Sequence, residues 1–264
     1  MASHIPGPLY YAQLGATGTP MIFLHSTPDD HRLWLYQTAH FSGQYRTIAV
    51  DLGGYGRSPA VQAGITIDDH ADACWEVVDR LTSGGAIIHG NSMGSEVAMH
   101  MAQRQPHRTQ ALILSGCGYV PSSEVFLRWA NRYREEGIAL RHGQLLDHFA
   151  PASRENPSLQ HYAKMVAALS NEGTLASIIA NNEALGQRPD PSFYDGITAP
   201  TLIIIGDLDR SKPASFELQQ RIKGSELVFL PEVGHACNIE APHAYDAHCI
   251  RFLTKLGLHS GPSS

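Results

Sequence analysis

The stretch Ala86-Ile87-Ile88-His89-Gly90-Asn91-Ser92-Met93-Gly94-Ser95 decides how this chain is read. It opens on an apolar run of the kind that fills a strand covered on both faces. It closes on Gly-x-Ser-x-Gly, and beyond it Val97, Ala98, Met101 and Ala102 recur at helical spacing. The pattern alone is short enough to arise by chance; a strand before it and a helix after it give it meaning. A sharp strand-to-helix turn strains the backbone at Ser92 and lifts its hydroxyl clear of the sheet's carboxyl edge. Gly90 and Gly94 then stand where a Cβ would collide with the turn, and Ser95 is small for a similar reason. Met93, beginning the helix, would offer a free N–H to an oxyanion.

Working outward, short apolar runs recur at Leu9–Tyr11, Met21–Leu24, Thr47–Val50, Ala111–Leu114, Leu202–Ile205 and Leu227–Leu230. Most end at Gly, Pro, Asp or Ser, as buried strands do. Between strands, Ala71, Cys74, Trp75, Val78 and Leu81 predict a helix over 68–81, with Asp68 and Asp69 at its cap and first turn. Tyr245, Cys249, Phe252 and Leu256 predict another over 242–256. Strands alternating with helices imply a mostly parallel, doubly wound α/β sheet. The alternation breaks once, between the strands ending near Ser115 and starting near Thr201. There the stripes Phe126, Trp129, Ala130, Tyr133 and Tyr162, Met165, Val166, Leu169 are helical, with Leu175, Ile178 and Ile179 a third. The expected organisation is a sheet domain, residues 1–118 and 197–264, interrupted by a helical cap, residues 119–196.

A serine hydroxyl is a weak nucleophile and needs a base, which itself needs an orienting acid. After a turn of this kind they follow in the order Ser, Asp or Glu, His. Gly206-Asp207-Leu208-Asp209-Arg210 follows one strand, and Glu232-Val233-Gly234-His235-Ala236 follows the next. Both lie past carboxyl ends of expected strands, where ligands of α/β sheets bind.

With these segments in place the chain resembles the α/β-hydrolase fold family over nearly its whole length. Leu24-His25-Ser26-Thr27-Pro28 resembles the family's His-Gly-x-Pro loop, and Asp51 to Ser58 its Asp-x-x-Gly-x-Gly-x-Ser turn. Gly90 to Gly94 is similar to the nucleophile elbow. Gly206-x-x-Asp209 with Pro213 resembles the acid loop, and Gly234-His235 with Asn238, Glu240 and Pro242 the histidine loop. The resemblance implies Ser92, Asp209 and His235 as catalytic triad, with Asp207 the alternative acid. It implies the N–H groups of Thr27 and Met93 as oxyanion hole. Ser26 stands where the family usually has glycine, so Ser26 is a further candidate there.

A serine at the elbow argues against dehalogenase-like and epoxide hydrolase-like members, which place Asp there. Ala236 argues against hydroxynitrile lyase-like members, which usually carry Lys after the histidine. The expected function is cleavage of a small carboxylic ester or lactone through an acyl-enzyme. Two alternatives are a carbon–carbon hydrolase of ring-cleavage products and a hydrolase-like small-molecule receptor. Trp129, Phe126, Tyr133 and Met165 are the candidate substrate pocket.

Composition narrows the partners. The 264 residues carry a net charge of −6, which excludes a strongly basic nucleic-acid binder. No run of about 18 apolar residues marks a membrane span, and no leader is evident before Tyr10. The four cysteines form no Cys-x-x-Cys pair. A cytoplasmic protein with free thiols and a small-molecule substrate is expected, without cofactor, metal, nucleic acid or membrane. Asp29-Asp30-His31 and Asp68-Asp69-His70 lack metal-ligand spacing and read as acidic first turns of helices. Of the 15 histidines, only His235 receives a catalytic role, while His25 and His89 border the expected site. Residues 257–264 read as a frayed tail.

Overall fold

A computed structural model describes residues 5–120, 122–170 and 172–259; residues 260–264 of the expected tail lie outside it. The strands are β1 (Tyr11–Leu14), β2 (Pro20–Leu24), β3 (Arg46–Val50), β4 (Ala86–Asn91), β5 (Thr109–Ser115), β6 (Thr201–Gly206) and β7 (Glu226–Leu230). They form one sheet in the order β1-β3-β2-β4-β5-β6-β7. Only the β1–β3 pairing is antiparallel. This is the α/β-hydrolase sheet that the sequence implies.

Side-chain alternation along each strand feeds two cores. Ile22, Leu24, Ile88, Leu112 and Leu114 point into one cluster, with α2 (Ile67–Asp79) and α3 (Met93–Arg104). Met21, Phe23, Ile87, Ala111 and Ile113 point into the other, with α1 (Leu35–Phe41) and, near the end of the chain, Pro242–Lys255. With both faces covered, β2, β4 and β6 are buried at every position, hence their unbroken apolar runs. β1 is an edge strand, and Leu14 is 47% exposed. Its pairing therefore begins at Tyr11 rather than at the apolar Leu9, which is buried without belonging to the strand. The cap of α2 is Thr66, whose side chain and that of Asp69 satisfy each other's backbone N–H groups; Asp68 and Asp69 occupy the first turn.

Between β5 and β6 the described residues hold no strand. They form α4 (Glu124–Glu136), α5 (Leu140–Asp147), α6 (Pro157–Ala167), α7 (Glu172–Gly186) and α8 (Ser192–Asp195). Tyr133, Ile178 and Leu185 join the first core cluster; Leu145, Phe149, Leu159 and Tyr162 join the second. The helical segment touches the sheet domain just past strand ends: Arg141 Nε donates to Pro28 O at 2.9 Å, and Asn181 Nδ2 to Gly53 O at 3.0 Å. It therefore lies along the carboxyl edge of the sheet. After β6 come α9 (Lys212–Arg221), α10 (Cys237–Glu240) and α11 (Pro242–Lys255). All four cysteines are free and buried. Among the described residues no helix is long and apolar enough to cross a membrane.

Candidate active site

The strand order reverses between β2 and β4, because β3 lies on one side of β2 and β4 on the other. Such a switch point opens a crevice at the carboxyl ends of the two strands. Thr27 follows β2 and Ser92 follows β4, so both border it.

Ser92 has φ 54° and ψ −113°, a left-handed backbone that a non-glycine residue adopts at a cost of about 1–3 kcal/mol. The surroundings hold it there. Ser92 N donates to Ser115 O at 2.8 Å, and Ser95 N donates back to Ser92 O at 2.9 Å. Ser95 Oγ also donates to Ser115 O at 2.9 Å, so Ser95 anchors the turn besides being small. A Cβ on Gly94 would come within 2.0 Å of Leu24 O, so only glycine lets the start of α3 approach the end of β2. That approach brings Met93 beside the Thr27 loop. As the first residue of α3, Met93 has an N–H with no intrahelical acceptor.

The loop after β2 is held from several directions. Tyr55 donates its hydroxyl to Thr27 Oγ1 at 2.6 Å. His25 Nδ1 donates to Ser26 O at 2.8 Å, and its Nε2 accepts from Leu52 N at 2.9 Å. This pairing requires a neutral imidazole, and burial holds His25 below the ordinary histidine range. The Ser26 hydroxyl donates to the Asp29 carboxylate and is wholly buried.

Three strand spacings of about 4.8 Å separate β4 from β7, so the loop after β7 must reach back to meet Ser92. Asn91 Nδ2 receives it, donating to His235 O at 3.1 Å and to Ser115 Oγ at 3.0 Å. His235 Nδ1 lies 3.0 Å from both carboxylate oxygens of Asp209. Asp207, the alternative acid, instead accepts the Glu232 N–H at 2.6 Å. Burial alone would depress the His235 imidazolium, but Asp209, assisted by Asp29, raises it above the ordinary value. Burial likewise opposes ionisation of Asp209, yet His235 and the Ser211 N–H hold it below the usual carboxylate range. Ser92 is half-buried and the His235 side chain is 22% exposed; both are within reach of a small molecule.

The pocket candidates divide. Phe126, Trp129 and Tyr133 belong to the first core cluster, whereas Met165 packs on the second. Tyr133 is fully buried and donates to Gln144; Trp129 stacks under Arg132 at 4.9 Å. Among the expected bordering histidines, His25 does shape the loop, while His89 is embedded among Phe23, Trp34, Phe41 and Tyr245. Donor atoms of Asp30, His31 and Asp51 lie within 4.8 Å of one another, but they have protein partners. Asp30 accepts from Arg32 N and Nε, and Asp51 accepts from His31 N and Nδ1 and from Arg57 N. Asp29 turns away from that group, toward Tyr162 and His148. The residues to which the sequence reading gave no role at this site are Asn91, Tyr55, Asp29, Tyr162 and His148. Asn91 sat inside the quoted elbow; the other four belong to contacts between distant segments.

A family model for the alpha/beta hydrolase fold matches residues 19–242. The chain belongs to the alpha/beta hydrolase fold family. A superfamily member of Bacillus subtilis, YisY, is 32% identical over 239 residues, 84% of this chain and 87% of that one. The Pseudomonas putida dihydrolipoyllysine-residue acetyltransferase component of an acetoin cleaving system is 29% identical over 250 residues. That match takes 91% of this chain but 65% of the relative's length. Among solved structures, the enol-lactonase from Burkholderia xenovorans LB400 superposes with a TM-score of 0.83 at 25% identity, covering 93% of this chain and 96% of that one.

Proposed function

We propose that this alpha/beta hydrolase is a serine hydrolase acting on a small carboxylic ester or lactone. The observation that carries the reading is the His235–Asp209 pair, with Nδ1 equidistant at 3.0 Å from both carboxylate oxygens, on a loop that Asn91 ties to the elbow. The similarity to an enol-lactonase supports the same reaction class.

In this reading Asp209 fixes the Nδ1–H tautomer and leaves Nε2 free to take the Ser92 proton. Ser92 Oγ attacks the acyl carbon, and the N–H groups of Met93 and Thr27 receive the oxyanion, each worth about 3 kcal/mol. The alcohol leaves with a proton, water attacks the acyl-enzyme, and Ser92 recovers its hydrogen. Residues 119–196 act as a cap over this site, with Phe126 and Trp129 on one wall and Met165 on the other, while Tyr133, expected in the pocket, is fully buried behind them and bonded to Gln144. The Ser26 hydroxyl is engaged with Asp29, which favours the Thr27 N–H over Ser26 as the second donor in this reading.

The experiment is fluorophosphonate labelling followed by a panel of p-nitrophenyl esters, alkyl esters and lactones. Wild-type protein is expected to label once, at Ser92, and to turn over at least one class. Ser92→Ala is expected to lose the label and about 10⁶-fold in kcat. Full activity of that variant would overturn the reading.

A further inference from the structure

Arg141, on α5, is wholly buried. A guanidinium keeps its charge, and a buried charge is costly unless it is paired. Arg188, also largely enclosed in the helical segment, meets that demand through Glu96 at 2.6 Å. Arg141 does not. Its Nε donates to Pro28 O at 2.9 Å and its Nη1 to Ser170 Oγ at 2.8 Å, both neutral acceptors. Its Nη2 is buried and meets no acceptor among the described residues. Asp29 follows Pro28 in the chain, but its carboxylate is taken by the hydroxyls of Ser26 and Tyr162 and faces His148.

The unpaired arm lies beside the proposed oxyanion hole. Pro28 follows Thr27, whose N–H receives the oxyanion in the serine hydrolase reading. Thr27 N and Pro28 O are two residues of chain apart, at most about 7 Å. Arg141 Nε, one hydrogen bond further, is therefore within about 10 Å of that N–H. In the planar guanidinium Nε–H and one Nη2–H project from the same edge, so the free arm is turned to the Pro28 side. Tyr55, whose hydroxyl bonds Thr27 Oγ1, feels the same charge. Burial pushes its phenol up to about 12, and Arg141 acts against that rise, as it does at Tyr133. Tyr133 stands one turn beyond Trp129 on α4, behind the wall of Phe126 and Trp129. An apolar wall thus runs toward a fixed cation that no protein carboxylate neutralises.

We propose that Arg141 is a specificity-determining residue that binds a carboxylate on the acyl part of the substrate. The preferred substrates are then half esters of short dicarboxylic acids, or lactones that carry a carboxylate, rather than neutral esters. The proposal rests on the serine hydrolase reading. One carboxylate oxygen accepts Nη2–H and supplies the missing counter-charge, while the ester carbonyl at the other end meets the N–H groups of Thr27 and Met93. Nε and Nη1 keep Pro28 and Ser170, so the guanidinium stays fixed as substrates exchange. No bond is made or broken at Arg141; its binding energy selects the acyl group and orients it for attack.

The test pairs esters of equal acyl length. Monoethyl adipate ends in a carboxylate where ethyl hexanoate ends in a methyl, and monoethyl succinate and glutarate vary the span. Wild-type protein is expected to cleave at least one half ester with kcat/KM about 10-fold or more above the neutral ester of the same length. Arg141→Gln also loses the bond to Pro28 and is expected to slow both classes, but the half ester about 100-fold more, mainly through KM. Arg141→Lys keeps the charge and is expected to restore part of the discrimination.

An equal loss on half esters and neutral esters would mean that Arg141 braces the Pro28 loop and nothing more, and overturns the proposal. So does a wild-type preference for the neutral ester at every length. If the Arg141 variants do not fold, Ser92→Ala protein titrated calorimetrically with the same esters decides. It is expected to bind a half ester about 10-fold more tightly than its neutral counterpart, and equal binding overturns the proposal. Each of these failures leaves the serine reading standing. Wild-type protein that neither labels with fluorophosphonate nor cleaves any ester overturns the serine reading and this proposal together.

Discussion

Asp209 contributes to His235 twice, as orienting acceptor and as counter-charge. Its charge is the largest of the influences that raise the imidazolium against burial. A base must be neutral to accept a proton, so the acid limb of kcat/KM is expected above the ordinary histidine value of about 6.5. Asp209→Asn removes that influence and leaves burial unopposed. Its acid limb is expected to move down in pH, and kcat to fall about 10⁴-fold. A pH–rate profile of the variant checks both, and an acid limb that stays in place would count against Asp209 as the counter-charge. The choice of Asp209 over Asp207 was open at the level of motif spacing, since both follow the same strand. The loop geometry separates them: Asp207 is committed to the Glu232 N–H.

At the scale of elements, Glu240 joins three segments. From α10 it accepts Ala150 N at 3.1 and 3.2 Å and Gly234 N at 2.8 Å, linking the segment after α5 to the histidine loop. Hydrogen bonds to a charged group are each worth about 1.5–3 kcal/mol. Glu240→Gln keeps the shape and one acceptor but removes the charge. It is expected to lower Tm by several degrees, at roughly 2–4 °C per kcal/mol for a protein of this size, and to reduce kcat more than binding. Calorimetry with steady-state kinetics tests this; an unchanged Tm would mean the clasp carries no load. The helices and central strands were legible from the sequence because their signals are local, as in the stripe of α4 and the runs of β2 and β4. The edge strand β1 was displaced in the reading because half its residues face solvent and break the apolar run.

For the molecule as a whole, three buried histidines set the response to acid. Burial holds His25 below the ordinary histidine range and takes His70 down to about 4 and His89 to about 3. The unfolded chain binds these protons below about pH 6.5, whereas the folded one does not until much lower. Stability is therefore expected to fall as pH drops below about 6.5, by about 1.4 kcal/mol per pH unit for each of His70 and His89, with His25 adding in the same direction. His235 acts in the opposite sense: its stabilisation is complete below about pH 6.5 and is lost as pH rises through its raised value. The depressed carboxylates Asp29, Asp51 and Asp209 contribute above about pH 4 and lose that contribution only at lower pH. Urea melts at pH 7.5, 6 and 5 are expected to show the histidine slope. His89→Leu, in its aromatic surroundings, is expected to flatten it by about 1.4 kcal/mol per pH unit. Constant stability over that range would refute the assignment of neutral buried histidines.

The sequence by itself determined the architecture and the strained turn at Ser92, because periodicity and steric demand act over a few residues: a buried strand reads as an apolar run, and a glycine-bracketed serine between strand and helix reads as a sharp turn. It also placed the acid and histidine loops in their order along the chain. Tertiary structure alone decided which of two neighbouring aspartates meets His235, which partner the Ser26 hydroxyl takes, and that His148 lies beside His235. Those outcomes depend on contacts between segments far apart in the chain, where side chains compete for partners that only the packed sheet and its covering helices bring within reach.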